Sequence, residues 1–136
     1  MDPDFAVAHY FLGQVHGQQQ MFDEAIAEFE EARKLSGSDA YAVAALGWGY
    51  AIAGRRNEAA GILKELEDLA KEKYVSPYRT AEIHAVLGDQ DRAFECLEEA
   101  FHQRSVSMVF LKVDPSFDVL RPDPRFKALL ERIGLE

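Results

Sequence analysis

The sequence predicts an all-α fold, an array of three antiparallel helix hairpins closed by a C-terminal helical cap. Two observations carry that prediction. Displaced by 34 residues, the chain places small residues on small ones: Gly13, Gly47 and Ala81, then Ala25, Ala59 and Ala93. Within each period, two apolar runs at helical spacing are separated by a short turn. A hairpin cannot cover its own apolar face, so such units stack on their neighbours.

The units are 6–39, 40–73 and 74–107. In the first, Phe5, Ala8, Leu12 and Val15 form one stripe, and Ala25, Ile26, Phe29 and Ala32 form another. Turn positions coincide at Gln20, Gly54 and Gly88, helix-opening polar residues at Asp23, Asn57 and Asp91, and large apolar residues at Phe29, Leu63 and Leu97. The second unit contains ALGWGY, with the only tryptophan, Trp48, between two glycines. A glycine inside a helix costs about 1 kcal/mol relative to alanine, so Gly47 and Gly49 are assigned to close helix packing. In the third unit Ser76-Pro77 reads as an N-cap followed by a first-turn proline. Its first helix is therefore expected to start late, and the preceding helix to run on through KELEDLAKEKY. After residue 107 the register is lost. Asp114-Pro115 and Asp123-Pro124 each read as a cap with a helix-opening proline. Phe126, Leu129, Leu130 and Ile133 make a last amphipathic helix ending at Gly134, and the segment 108–136 caps the array.

The 136 residues are expected to form a single domain, 1–136, with 48% hydrophobic and 29% charged residues. A net charge of -9 argues against nucleic acid and against anionic membrane surfaces, both of which select basic patches. One cysteine, Cys96, gives no internal disulfide. The acidic start MDPDFAVAHY is unlike a secretion signal, and no apolar run approaches the roughly 20 residues of a membrane span. The expected location is the cytoplasm.

The segments YFLGQV, AALGWGY, FDEAIAEFEEA and GRRNEAAGILKEL resemble the signature of the tetratricopeptide repeat family, whose unit is also 34 residues. The resemblance covers residues 6–107. It departs at His9, Val43 and Pro77, where the family carries a large aromatic residue, and it is weakest in the third unit. It implies a right-handed superhelix whose first helices line a concave groove. The tail resembles the end of such arrays in bacterial multidomain regulators, and Asp2-Pro3 reads as the close of an earlier repeat. Both suggest the C-terminal piece of a longer protein.

Carried over residue by residue, the family's groove positions fall on Tyr10, Gln14 and Gln18, on Tyr41, Ala44, Trp48 and Ile52, and on Val75, Tyr78, Arg79 and Glu82. On that basis Tyr10, Tyr41, Trp48 and Tyr78 form an aromatic band suited to an apolar or proline-rich segment or an amphipathic helix. The other reading is that these rings pack between successive first helices, or lie under the tail. The carboxylate clamp of chaperone-binding members is rejected: its places hold Tyr10, Gln14, Ala45, Val75 and Arg79, and only Arg79 retains the donor that clamp needs.

Enzyme chemistry finds no support. His9, His16, His84 and His102 lack metal spacing, and Glu98 with His102 offers two potential ligands and no third. Cys96 lies near Glu95 and Glu98, which disfavour a thiolate. Glu24, Glu28, Glu30 and Glu31 load the outer helix of the first unit as a solvated face, and Arg55 and Arg56 sit in a turn. No catalytic residue, metal or cofactor is assigned. The expected function is a non-catalytic scaffold that binds a protein or peptide. The alternative is self-assembly into a homo-oligomer through an uncovered face around Phe5, Ala8 and Phe11.

Overall fold

The computed structural model describes residues 3–135, and every regular element among them is helical. Helices α1 (Pro3–Gln18), α2 (Phe22–Ser36), α3 (Ala40–Ile52) and α4 (Arg56–Leu69) are followed by α5 (Pro77–Leu87), α6 (Gln90–His102) and α7 (Pro124–Ile133). Two short 3₁₀ helices, Val106–Phe110 and Pro115–Leu120, lie between α6 and α7. A single domain is the expectation from chain length; the structure divides into two compact units after Val75. Pro3 opens α1, and Asp2, the other half of the Asp2-Pro3 reading, lies outside the described residues.

In unit 1 the helices pack as consecutive pairs, α1 with α2 and α3 with α4, and α2 also packs on α3. Ala25, Ile26, Phe29 and Ala32 make one side of α2 core; Val43 and Leu46 of α3 and Ala59, Ile62 and Leu66 of α4 are buried as well. The turn positions behave as their 34-residue alignment requires. Gln20, Gly54 and Gly88 all take positive φ, at 63°, 79° and 87°. Glycine adopts that conformation freely, whereas glutamine does so at a cost.

Two expectations need correcting. First, α4 does not run on through KELEDLAKEKY. It ends at Leu69, and the amides of Lys71 and Glu72 close tighter turns onto Asp68 and Leu69. Beyond Leu69 the residues up to Tyr74 are solvent-facing, so no apolar face holds another turn in place. Second, the 34-residue spacing of the helix starts continues beyond 107, although the residue pattern does not. Second helices open at Phe22, Arg56 and Gln90, and α7 opens at Pro124, again 34 residues on. The first-helix place before α7 is filled by the two 3₁₀ helices. Pro115, at the start of the second of them, breaks the run that precedes it, so no continuous first helix forms there.

In unit 2, α5 and α6 form the third hairpin, with Asp89 capping α6 through the Arg92 amide at 3.2 Å. The tail packs onto this hairpin: Met108, Leu111, Phe117, Leu120, Phe126 and Leu129 join Tyr78, Ala81, Phe94 and Leu97 in one core. Ser76 caps α5, Asp114 the second 3₁₀ helix and Asp123 helix α7, each before its proline, as the sequence predicts. Gly134 ends α7 in left-handed conformation. Arg125 stands 4.3 Å from the Phe94 ring and pairs with Asp91 at 3.0 Å, which pins α7 to α6.

Candidate functional site

The centre of unit 1 is an aromatic ring with glycine on two sides. Phe29 of α2 is fully buried. A Cβ on Gly13 of α1 would lie 2.5 Å from its Cε1, and one on Gly49 of α3 would lie 2.9 Å from its Cδ2. Any side chain at either place would overlap the ring, since carbon atoms in contact sit about 3.5–4.0 Å apart. This is the packing reason for Gly13 and Gly49. Gly47 is buried as well.

Two predicted groove residues lean on Phe29. The Trp48 ring meets it edge-on at 5.9 Å and Tyr10 lies tilted at 6.2 Å. The far edge of the indole rests on Gly17, where a Cβ would be 2.7 Å from both Cη2 and Cζ3, and Ile52 Cδ1 lies beside the same glycine. Gln14 Nε2 donates to the Tyr10 hydroxyl at 3.0 Å. Trp48, Tyr10, Gln14 and Ile52 are all half-buried, while Ala44 is buried and Gln18 exposed. Trp48 thus packs between the first helices on one side and meets solvent on the other. Gly17, which makes room for the indole, was not singled out from the sequence; its place four residues after Gly13 was the available signal.

Tyr41 is the most open of the predicted band, 57% exposed. It shares one face of α3 with Trp48 and Ile52, at spacings of seven and four residues. The repeat puts Val7, Gln14 and Gln18 at the matching places on α1. Tyr10 falls one step aside, matching Ala44.

Unit 2 holds its predicted residues differently. Tyr78 is core: its ring packs edge-to-face on Phe117 at 5.3 Å and its hydroxyl donates to Asp114 Oδ2 at 2.7 Å. The reading of Tyr78 as a groove residue gives way to the alternative that it lies under the tail, because Phe117 and Asp114 of that tail cover it. Glu82 is buried too and accepts from Arg79 Nη1 at 2.9 Å. Burial first, then its hydrogen bond and proximity to Asp114, hold the Glu82 carboxyl well above the usual carboxylate range, with Arg79 opposing. Burial and the Asp114 carboxylate likewise raise the Tyr78 phenol. Arg79 is half-buried against Glu82, and Val75 is half-buried at the end of unit 1.

Elsewhere, burial pushes the Cys96 thiol up to about 11, with Glu99 and Glu95 adding to it; Glu98, named from the sequence, instead meets Arg132 and His102. His84 is held below its ordinary value by burial, and His9 pairs with Glu28. Several acidic groups of α2 find partners inside unit 1: Glu30 accepts from Tyr50 at 3.2 Å, and Asp23 meets Arg55 at 3.6 Å. No three His, Cys, Asp or Glu side chains gather as metal ligands among the described residues. No helix among them is long and apolar enough to cross a membrane.

The tetratricopeptide repeat family model matches residues 6–39, the first hairpin. The helical pairs that follow it are consistent with a helical repeat of that kind. No curated protein and no solved structure matches it.

Proposed function

We propose that this chain is a non-catalytic protein-interaction scaffold, and that unit 1 takes a peptide segment across the outward face of its first helices. Repeats of this type generally mediate protein–protein contacts. The observation that carries the finer reading is the exposure of Tyr41 on the α3 face that also carries half-buried Trp48 and Ile52. A large open ring two helical turns from a second ring that packs on Phe29 offers apolar area along one face of α3. Val7, Gln14 and Gln18 supply an apolar and amide-bearing border on α1. The segment such a face suits is apolar, proline-rich or an amphipathic helix. The face carries no Lys or Arg among these residues, so an acidic or carboxylate-terminated peptide is disfavoured.

The test is selection of a random peptide library on the immobilised chain, followed by Tyr41→Ala and Trp48→Leu. Enriched peptides should be aromatic-, leucine- or proline-rich and should lose binding to both variants while the helical circular dichroism is kept. Peptides that bind the variants as well as the parent would remove the face from the proposal.

A second reading, self-assembly, is favoured by one separate observation: Phe5, Phe11, Leu12 and Val15 of α1 stand exposed together.

A further inference from the structure

The internal repeat states what kind of surface α1 presents. On α3, the residues Ala42, Ala45, Leu46 and Gly49 are buried within unit 1, where α3 meets α2 and α1. One repeat earlier those places are Ala8, Phe11, Leu12 and Val15, and all four are exposed. With Phe5 they fall at helical spacing along a single stripe. A face that the fold covers in its second hairpin is therefore open in its first.

The stripe is apolar, long and uncharged. No Asp, Glu, Lys or Arg occurs from Phe5 to Phe22. Phe5 is 61% exposed, Phe11 58%, Val15 51% and Leu12 47%. With roughly 200 Å² for a phenylalanine and roughly 100 Å² for a Val or Leu side chain, the stripe offers on the order of 350 Å² of apolar surface. A stable interface takes about 800 Å² per partner, a little over half of it apolar. The stripe supplies most of that apolar share.

Resting on the self-assembly reading, we infer that α1 of one copy packs antiparallel on α1 of a second copy in a closed, twofold dimer. A twofold contact covers the same stripe on both copies and leaves neither open. Elsewhere the chain carries a net charge of -9, so two copies repel through most of their surface. The uncharged stripe is a place where like meets like without that penalty. The last helix is no counterpart for it, because α7 turns Arg125, Lys127, Glu131 and Arg132 to solvent. The middle of the stripe falls between Ala8 and Leu12, so the twofold axis passes within a turn of Leu12.

The experiment is sedimentation equilibrium of the full chain over a concentration series, for the parent, Leu12→Glu, Leu12→Lys and an equimolar mixture of the two variants. The parent should reach twice the chain mass and no more. Each variant should weaken association on the order of a hundredfold, since a buried lone charge faces its own copy, with helicity unchanged because Leu12 is exposed. The mixture should recover the dimer by opposite charges meeting near the axis. A parent that stays monomeric throughout overturns the inference together with the self-assembly reading. A dimer indifferent to both variants leaves self-assembly standing and removes α1 as its surface. Mass rising past two copies, or a mixture that stays monomeric, overturns the twofold arrangement; the former would point to docking of α1 on the exposed Val106, Val109, Phe110 and Val113 of another copy.

Discussion

Alanine at Gly13 and alanine at Gly17 insert the same atom into the same helix, and the structure separates their outcomes. At Gly13 the new Cβ would meet three atoms of the Phe29 ring at 2.5, 2.7 and 2.9 Å. The ring has no room to retreat. It is fully buried, and Gly49 approaches its other edge so closely that a Cβ there would lie at 2.9 Å. Overpacking of this kind costs about 1–3 kcal/mol, and an overlap near 1 Å belongs at the upper end. Replacing a helical glycine returns about 1 kcal/mol. Gly13→Ala should therefore destabilise unit 1 by about 2 kcal/mol, roughly 10 °C in melting temperature for a unit of this size. At Gly17 the obstruction is the far edge of a half-exposed indole and the tip of Ile52. Those groups can swing outward, so Gly17→Ala should change stability by less than about 0.5 kcal/mol while moving Trp48 into water. The single tryptophan lies in unit 1, so urea unfolding followed by its emission reports that unit directly. Gly13→Ala should lower the midpoint with little change in native emission; Gly17→Ala should red-shift the native emission at a nearly unchanged midpoint. Equal or greater stability for Gly13→Ala would refute the claim that Phe29 is clamped between glycines.

Other consequences follow from the turns and from unit 2. Gln20→Gly should stabilise unit 1 by about 0.5 kcal/mol, the left-handed penalty of about 1 kcal/mol less the added chain entropy of glycine, and so raise the Trp48-detected midpoint; a lowered midpoint would contradict the assignment. Glu82 holds its proton more tightly folded than unfolded, so its contribution to stability is complete below the ordinary Glu range and declines as pH rises towards its native value. That decline has a ceiling of about 1.4 kcal/mol per pH unit for one proton. Glu82→Gln, which can still donate to Asp114 and accept from Arg79, should flatten it, as read by amide exchange of α5 in acid and at neutral pH. An unchanged pH profile would mean that Glu82 is ionised in the fold. Arg132 lies 4.5 Å from the Phe101 ring centroid and pairs with Glu98. Arg132→Ala should cost unit 2 about 0.5–1 kcal/mol, given its partial exposure, with faster amide exchange in α7 as the sign.

The hairpins were legible because each signal was local. Alternating runs of apolar residues, a turn position that is glycine twice in three repeats, and caps followed by proline each act within a few residues. What escaped was set by distance or by compensation. The α4 end carries good helix formers through Lys73, and only the lack of anything to pack against stops the helix at Leu69. The fourth second-helix position was hidden because α7 keeps the register of its start while its apolar residues sit one place off the earlier pattern: Phe126 and Leu130 against Ala93 and Leu97. The candidate face was only partly legible. Tyr41, Trp48 and Ile52 share one side of α3 by spacing alone. Tyr78 and Glu82 carry the same spacing on α5, yet Phe117 and Asp114, more than thirty residues downstream, cover them. No periodicity within α5 encodes that contact.

A peptide lying along the α3 face that bears Trp48 would cover the indole. Adding a selected peptide to the parent chain while recording Trp48 emission and its quenching by acrylamide, with binding followed independently by the polarisation of a dye on the peptide, tests this contact. A blue shift and a loss of quenching should saturate together with the polarisation. Saturating polarisation with Trp48 emission and quenching unchanged would place the peptide elsewhere and contradict this contact.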